Sequence, residues 1–362
     1  MTAAVVLQAA VMVPRVAAAR APMLARVPAM PPPRMCLAAH VRLTFQRCGC
    51  DDGCSGLASR LAFIGSHAVF EGFKHTQIQT SDPEVKINLR YGGNGPPILL
   101  IHGNPLTHVH WHLVAPRLAR DFTVVVTDLR GYGDSSKPRG LPDHSNYSFR
   151  RMGQDQVDVM RHLGFDKFCV AGHDRGARTA FRMALDHPDK VRKFASFDIL
   201  PTHHMLTHAT YQWALNSSHW FFMAQAYDIP EKLIEGKYDY YIQQKLTRLG
   251  IGKGGFSEET LKEYARVCTA ENIHGVCEDY RAAVTVDMAM DTEDFNAGRK
   301  IQCPTAVYWG EKSHTEKHFN PRTAWPQYAS NIVRIQPLPC GHYPAEQVPD
   351  MVYEELSTFF KT

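Results

Sequence analysis

Residues 172–176 read Gly-His-Asp-Arg-Gly, between an apolar run that ends at Gly172 and a helical stretch that starts at Arg175. A nucleophile centred in a small-x-nucleophile-x-small sequence, with a strand before and a helix after, sits on a sharp turn that lifts its side chain above the sheet. It then faces the positive end of the next helix. Glycine is needed on both sides because a Cβ there would collide with the turn. The central residue is Asp174, and a carboxylate attacks carbon by displacement, forming an alkyl ester on the protein. It does not suit ordinary ester hydrolysis, since acyl transfer to Asp would give an anhydride. An Asp ahead of a helix is also a common N-cap, but the strand–turn–helix setting favours the nucleophile.

In such sets the acid and the histidine follow in that order. Asp198 ends an apolar run in Phe-Asp-Ile-Leu-Pro, and His342 lies in Cys-Gly-His-Tyr after the last run. His342 would act as general base on water, and Asp198 would orient it and stabilise the imidazolium. The loop His102-Gly-Asn-Pro follows another apolar run. Its backbone N–H near Asn104, with that of Arg175, would stabilise the tetrahedral intermediate of ester hydrolysis.

The elements that must hold these residues follow from hydrophobic pattern. Segments 75–80 and 85–91 read as a hairpin. Short apolar runs at 97–102, 122–128, 168–172, 193–197, 305–309 and 332–335 read as buried strands of a mainly parallel sheet. Helical stretches at 149–163 and 175–186 alternate with them, which argues for a doubly wound α/β architecture. Between 202 and 295 the alternation stops. That stretch is rich in Trp, Tyr and His and helical in pattern, and reads as a helical cap inserted late in the sheet. The expected core is then 66–201 with 296–362.

The chain has 362 residues, 44% hydrophobic and 21% charged, enough for a sizeable core. A formal net charge of +4, with no basic stripe interleaved with aromatics, argues against nucleic-acid binding. No apolar run is long enough to cross a membrane as a helix. Residues 1–60 stand apart: six Arg precede the first acidic residue, Asp51, amid Ala, Val and Pro. That composition reads as an organelle transit peptide, for chloroplast or mitochondrion, with a structureless extension in an otherwise cytoplasmic protein as the alternative. Nine unevenly spread Cys suit reduced thiols rather than a disulfide framework. Cys48, Cys50 and Cys54 lack the paired spacing of a metal site. His108, His110 and His112 alternate, but no carboxylate accompanies them at useful spacing. No Gly-rich phosphate loop is present and no cofactor is implied.

From residue 66 onward the chain resembles the fluoroacetate (haloacetate) dehalogenases of the α/β-hydrolase fold. The resemblance rests on His102-Gly-Asn-Pro with Trp111-His112, Asp128-Leu-Arg-Gly-Tyr-Gly-Asp-Ser-Ser and Gly172-His-Asp-Arg-Gly-Ala-Arg178. It rests also on Asp198-Ile-Leu-Pro-Thr, His219-Trp220, Asp279-Tyr280-Arg281 and Gly341-His342. It implies that Arg175 and Arg178, three apart on one helix face, hold a substrate carboxylate. It implies also that His219, Trp220 and Tyr280 donate hydrogen bonds to the departing halide, whose expulsion into a dry site would otherwise be very costly. One departure concerns Asn104, where the family often has an aromatic residue. Asn there resembles haloalkane dehalogenases, which carry Trp directly after the nucleophile, where this chain has Arg175. It bears on pocket size and substrate preference.

The expected reaction is hydrolysis of a 2-haloacid to halide and a 2-hydroxy acid, with water and a small haloacid as the only partners. A homodimer is compatible with the sequence. The nearest alternative is an epoxide hydrolase, which shares the Asp–His–Asp set but needs two cap tyrosines. A second alternative is a non-catalytic small-molecule receptor on the same fold.

Overall fold

The structure is a computed structural model that describes residues 70–247 and 255–361. The expected transit peptide and Cys48, Cys50 and Cys54 lie outside the described residues. Eight strands form one sheet in the order β1-β2-β4-β3-β5-β6-β7-β8. They are β1 (Lys74–Gln79), β2 (Lys86–Gly92), β3 (Pro97–Ile101), β4 (Thr123–Thr127), β5 (Phe168–His173), β6 (Val191–Phe197), β7 (Thr305–Gly310) and β8 (Ile332–Leu338). β1 and β2 form the expected antiparallel hairpin, and β2 pairs antiparallel with β4. Every pairing from β4 through β8 is parallel.

The central strands are apolar on both faces because both faces are covered. All six residues of β5 and of β7 are buried. The edges are different. β1 reads Lys-His-Thr-Gln-Ile-Gln and is mostly exposed, and β8 carries Arg334 and Pro337. Charge and proline on outer strands discourage edge-to-edge pairing.

Chain order reverses around β3, since β4 lies on one side of it and β5 on the other. A crevice opens at such a point beyond the carboxyl ends of the strands. The loops that follow β3, β5, β6 and β8 there carry Asn104, Asp174, Asp198 and His342.

Two helices frame the central strands. α1 (Phe149–His162) starts at Ser148, whose hydroxyl accepts from the Arg151 N–H. α2 (Arg175–Asp186) begins directly after Asp174 and is buried from Arg175 to Leu185. It packs on β5 and β6 and against α1, and its Arg175 and Arg182 reach across to acidic residues of the segment between β6 and β7. That segment comprises α3 (Thr202–Thr207), α4 (Tyr211–Asn216), α5 (His219–Met223), α6 (Ile229–Ile234) and α7 (Tyr238–Leu246). It continues through α8 (Glu258–Val267), α9 (Ala270–Ala282) and α10 (Met288–Asn296). The insertion and the sheet belong to one compact unit.

Backbones meet closely where the two join. A Cβ on Gly275 of α9 would lie 2.5 Å from the Cα of Gly131, whose own φ of +83° is open to glycine at little strain.

Candidate active site

Asp174 sits at the tip of the turn between β5 and α2 with φ of +49°, a left-handed conformation that is strained for a residue with a side chain. The neighbouring glycines make this geometry attainable. A Cβ on Gly172 would lie 2.4 Å from the carbonyl oxygen of Gly176, and one on Gly176 would lie 2.4 Å from that of His102. Gly103 is similarly constrained, since its Cβ would meet the Asp174 Cβ at 2.4 Å. The loop after β3 can therefore close on the carboxylate. The Asn104 N–H donates to Asp174 Oδ1 at 2.9 Å. No described residue donates a hydrogen bond to Oδ2, which lies 3.7 Å from His342 Nε2.

The expected acid and histidine are in place. His342 Nδ1 and Asp198 Oδ2 are hydrogen-bonded at 2.5 Å. Asp198 is itself fixed through Oδ1, which accepts from Gly310 N–H at 3.1 Å and from the Ser313 hydroxyl at 2.6 Å. Burial opposes charge on His342, but the Asp198 hydrogen bond and the charges of Asp198 and Asp174 together raise its pKa. Burial likewise opposes charge on Asp174. His342, His173, Arg175 and the Asn104 N–H outweigh it and hold the carboxyl well below the usual range.

The two arginines differ. Arg175 is fully buried, with Nε and Nη2 on Asp279 of α9, and its guanidinium packs against the rings of Phe149, Trp220 and Tyr280. Only its Nη1 lacks a partner, and the residue is not among those lining the cavity above Asp174. Arg178 does line that cavity. Its Nη1 donates to the Leu200 carbonyl at 2.9 Å and to the Thr202 hydroxyl at 3.0 Å, while Nε has no partner. No described carboxylate forms an ion pair with it. Burial, then repulsion from Arg175, pulls its pKa down to about 10. A row of buried arginines thus runs along one face of α2. Arg175 is paired with Asp279 and Arg182 with Asp291 and Asp294, and the middle one is left facing the cavity.

His219, Trp220 and Tyr280 all line the cavity. Burial drives the His219 pKa well down and the Tyr280 pKa well up, so both stay neutral with a proton to donate. The Tyr280 hydroxyl accepts from Asn104 Nδ2 at 3.3 Å, which leaves its own O–H free for another acceptor. Asn104, Asp174, Asp198 and His342 complete the set of expected residues on the cavity, and only Arg175 stands behind it. Apolar lining comes from Ile199, Leu200, Met205, Trp213 and Phe319. The cavity volume is about 80 Å³, room for a ligand of few heavy atoms.

Residues not anticipated from sequence also reach the site. Lys245 of α7 and Tyr343 line the cavity, and Asp279 neutralises Arg175 from 104 positions away. The alternating histidines do have carboxylates, from distant elements. His108 pairs with Asp128 at 2.9 Å, and His110 and His112 approach Glu346 at 3.8 and 3.9 Å. Among the described residues no group of side chains is arranged to hold a metal ion.

A mainly parallel sheet with a sharp strand–Asp–helix turn after β5, an acid after β6 and a histidine after β8 defines an α/β hydrolase. Residues 96–347 match the α/β hydrolase fold family, to which the chain belongs. Within that fold it belongs with the fluoroacetate dehalogenases. It is 44% identical to the fluoroacetate dehalogenase of Burkholderia sp over 293 residues, 80% of this chain and 95% of that one. It is 34% identical to the soluble epoxide hydrolase of Corynebacterium sp. (strain C12), over 74% of this chain and 91% of the relative. Among solved structures, a candidate α/β hydrolase from Nostoc sp PCC 7120 superposes with a TM-score of 0.78 at 45% identity. It covers 80% of this chain and 99% of that one. A candidate epoxide hydrolase from Pseudomonas aeruginosa gives 0.73 at 38% identity, with 80% and 96% covered. The protein is therefore a hydrolase, and the receptor alternative falls away. Among the described residues no helix is long and apolar enough to cross a membrane.

Proposed function

We propose that this protein is a hydrolytic dehalogenase of small 2-haloacids such as fluoroacetate. The observation that carries the reading is Arg178, a guanidinium buried near Asp174, open to the cavity and ion-paired with no described carboxylate. A buried charge without a counter-charge is costly, and a substrate carboxylate supplies one. Arg178 then fixes the α-carbon over Asp174, and Arg175 adds positive potential behind it.

Asp174 Oδ2 attacks the α-carbon, and the carbon–halogen electron pair leaves with the halide. His219, Trp220 and Tyr280 donate to the departing ion. Oδ1, held by the Asn104 N–H, becomes the ester carbonyl oxygen, and that same N–H stabilises the oxyanion when water adds. His342, oriented by Asp198, takes the proton from that water. Collapse of the adduct breaks the bond between the Asp174 carboxyl carbon and Oδ2; the departing alkoxide takes the proton back from His342 and leaves as the 2-hydroxy acid, and the Asp174 carboxyl, now carrying the water oxygen, ionises again.

The test is to trap the ester. His342→Asn should alkylate and stop, so intact mass after chloroacetate exposure rises by one carboxymethyl group, located by peptide mapping on Asp174. A folded variant that gains no mass would refute the mechanism.

The epoxide-hydrolase reading draws on relatives of that description and on Tyr280. The other tyrosine lining the cavity, Tyr343, adjoins His342 instead of lying on the insertion. Side-by-side turnover of fluoroacetate, chloroacetate and styrene oxide separates the two readings, and the small cavity favours the acids.

For residues 1–60 we propose organelle targeting, supported by composition alone: six Arg ahead of any acidic residue. A fluorescent reporter fused behind them should reach plastid or mitochondrion, and diffuse cytosolic signal would refute it.

A further inference from the structure

Lys245 sits near the end of α7 and is only 6% exposed, yet it lines the same cavity as Asp174. No hydrogen bond or ion pair with a described residue engages its ammonium. Lysine is almost never buried without a partner, so an unpartnered one on a cavity wall asks for an anion from outside the protein.

Its surroundings say which anion. The charges acting on Lys245 are those of Asp174 and Arg175. Lys245 in turn is the strongest charge acting on His219, and it also acts on His342. Arg178 is not among the charges acting on Lys245: its guanidinium lies over the Trp220 ring and its Nη1 is held by Leu200 and Thr202. The remaining titratable groups on the cavity are Tyr280 from α9, Tyr343 from the loop after β8, Asp198 from the loop after β6 and His314 from the segment after β7. Two cations therefore line one cavity with the nucleophile. Arg178 comes from α2 and Lys245 from α7, where His219 feels its charge. If Arg178 grips the carboxylate, Lys245 is the cation left for the leaving group.

We propose that Lys245 is the counter-ion of the expelled halide, adding charge to a site whose other donors, His219, Trp220 and Tyr280, are neutral. The inference rests on the dehalogenase reading. In the alkylation step Asp174 Oδ2 bonds to the α-carbon, and the halogen departs with the bonding pair. No proton moves. Negative charge vanishes from Asp174 and reappears on the halide, so the ammonium exchanges one counter-charge for the other without moving far. Burial draws its pKa down to about 7 while the Asp174 carboxylate opposes that loss, so an adjacent halide holds the ammonium in its charged form. Fluoride is the strongest hydrogen-bond acceptor among the halides and the poorest leaving group, so it gains most from a charged donor.

The experiment uses the full chain in a His342→Asn background, where the ester accumulates and its formation is read by mass in a single turnover. Lys245→Met and Lys245→Gln are compared with the background for fluoroacetate, chloroacetate and bromoacetate. Loss of a charged donor should slow ester formation from fluoroacetate by roughly 30- to 100-fold and from bromoacetate by less than about fivefold. Retained reaction with bromoacetate then also certifies folding. An equal loss with all three acids, as a structural or carboxylate-binding lysine would give, overturns the proposal, and so does no loss. If the His342→Asn background forms no ester with any acid, the dehalogenase reading itself has failed. If it forms ester but the halogens respond alike, only Lys245 has been misassigned.

Discussion

In the proposed reaction one carboxylate and one imidazole carry opposite demands, and their surroundings separate them. Asp174 would have to be ionised to attack, and it is held well below the usual carboxylate range. His342 would have to be neutral to accept a proton, yet its pKa is raised. Alkylation needs only the first condition and ester hydrolysis needs the second. With bromoacetate, kcat should fall as pH drops through the His342 pKa, while kcat/KM stays level further into acid. In the ester Asp174 carries no charge, so the limb in kcat reports His342 as Asp198 alone supports it. An acid limb common to both parameters, in pH-rate profiles, would contradict this division. Arg178 admits a sharper test. Arg178→Met should lower kcat/KM for chloroacetate by roughly 100-fold or more, because the carboxylate would enter a buried site without its cation. Chloroacetamide, which lacks that charge, should change by less than about threefold, as halide-release assays would read. As candidates, Asp174, Asp198 and His342 were legible because each lies in a short string with a fixed place relative to a strand end, and Arg178 was picked out by the family resemblance. Arg175 was legible as an arginine of the site, but its Asp279 partner was not, since the pairing spans 104 positions. Lys245 gave no signal at all: Gln-Gln-Lys-Leu is ordinary helix sequence, and only the packing of α7 over the cavity turns it inward.

At the scale of elements, the decisive piece is the turn from β5 into α2, which stores the strain at Asp174. Gly176 is where that turn touches the neighbouring strand. In Gly176→Ala the new Cβ would lie 2.4 Å from a backbone oxygen of the loop after β3, with no flexible side chain able to yield. We expect a loss of about 2–4 kcal/mol in unfolding free energy. A drop in melting temperature would register it, and activity should fall further than stability alone explains. An unchanged melting temperature would mean that the turn is looser than described. The strands were readable because a buried parallel strand is a short apolar run bounded by polar residues, as Thr-Val-Val-Val-Thr of β4 is. Their order was not. Nothing in sequence says that β4 lies between β2 and β3, because that depends on which crossover the chain takes. In the insertion, helical character was legible but the break into pieces as short as His219–Met223 was not. Five residues carry too little periodicity to mark their own ends.

For the whole molecule, the issue is how the helical insertion is locked onto the sheet over a polar site. Much of that seam is one buried network. Asp279 of α9 accepts from Arg175 Nε at 2.8 Å and from the Tyr132 hydroxyl at 2.6 Å, and both Arg175 and Asp279 are inaccessible to solvent. Asn272 adds a hydrogen bond to the Gly131 carbonyl at 3.0 Å, beside the close approach of Gly131 and Gly275. Asp279→Asn removes the one carboxylate among the described residues that is ion-paired with Arg175 while keeping the shape of the side chain. The guanidinium would remain charged, enclosed by Phe149, Trp220 and Tyr280. Breaking one side of a buried pair costs about 3–5 kcal/mol, which corresponds to a fall of very roughly 6–20 °C in melting temperature for a chain of this size. If the orphan charge is the cause, removing it should help. Arg175→Met combined with Asp279→Asn should melt higher than Asp279→Asn alone, although Arg175→Met by itself leaves Asp279 unpaired and is also destabilising. Thermal unfolding of the three variants closes the cycle. A double variant no more stable than Asp279→Asn would show that shape at the seam, and not the charge of Arg175, is what Asp279 serves.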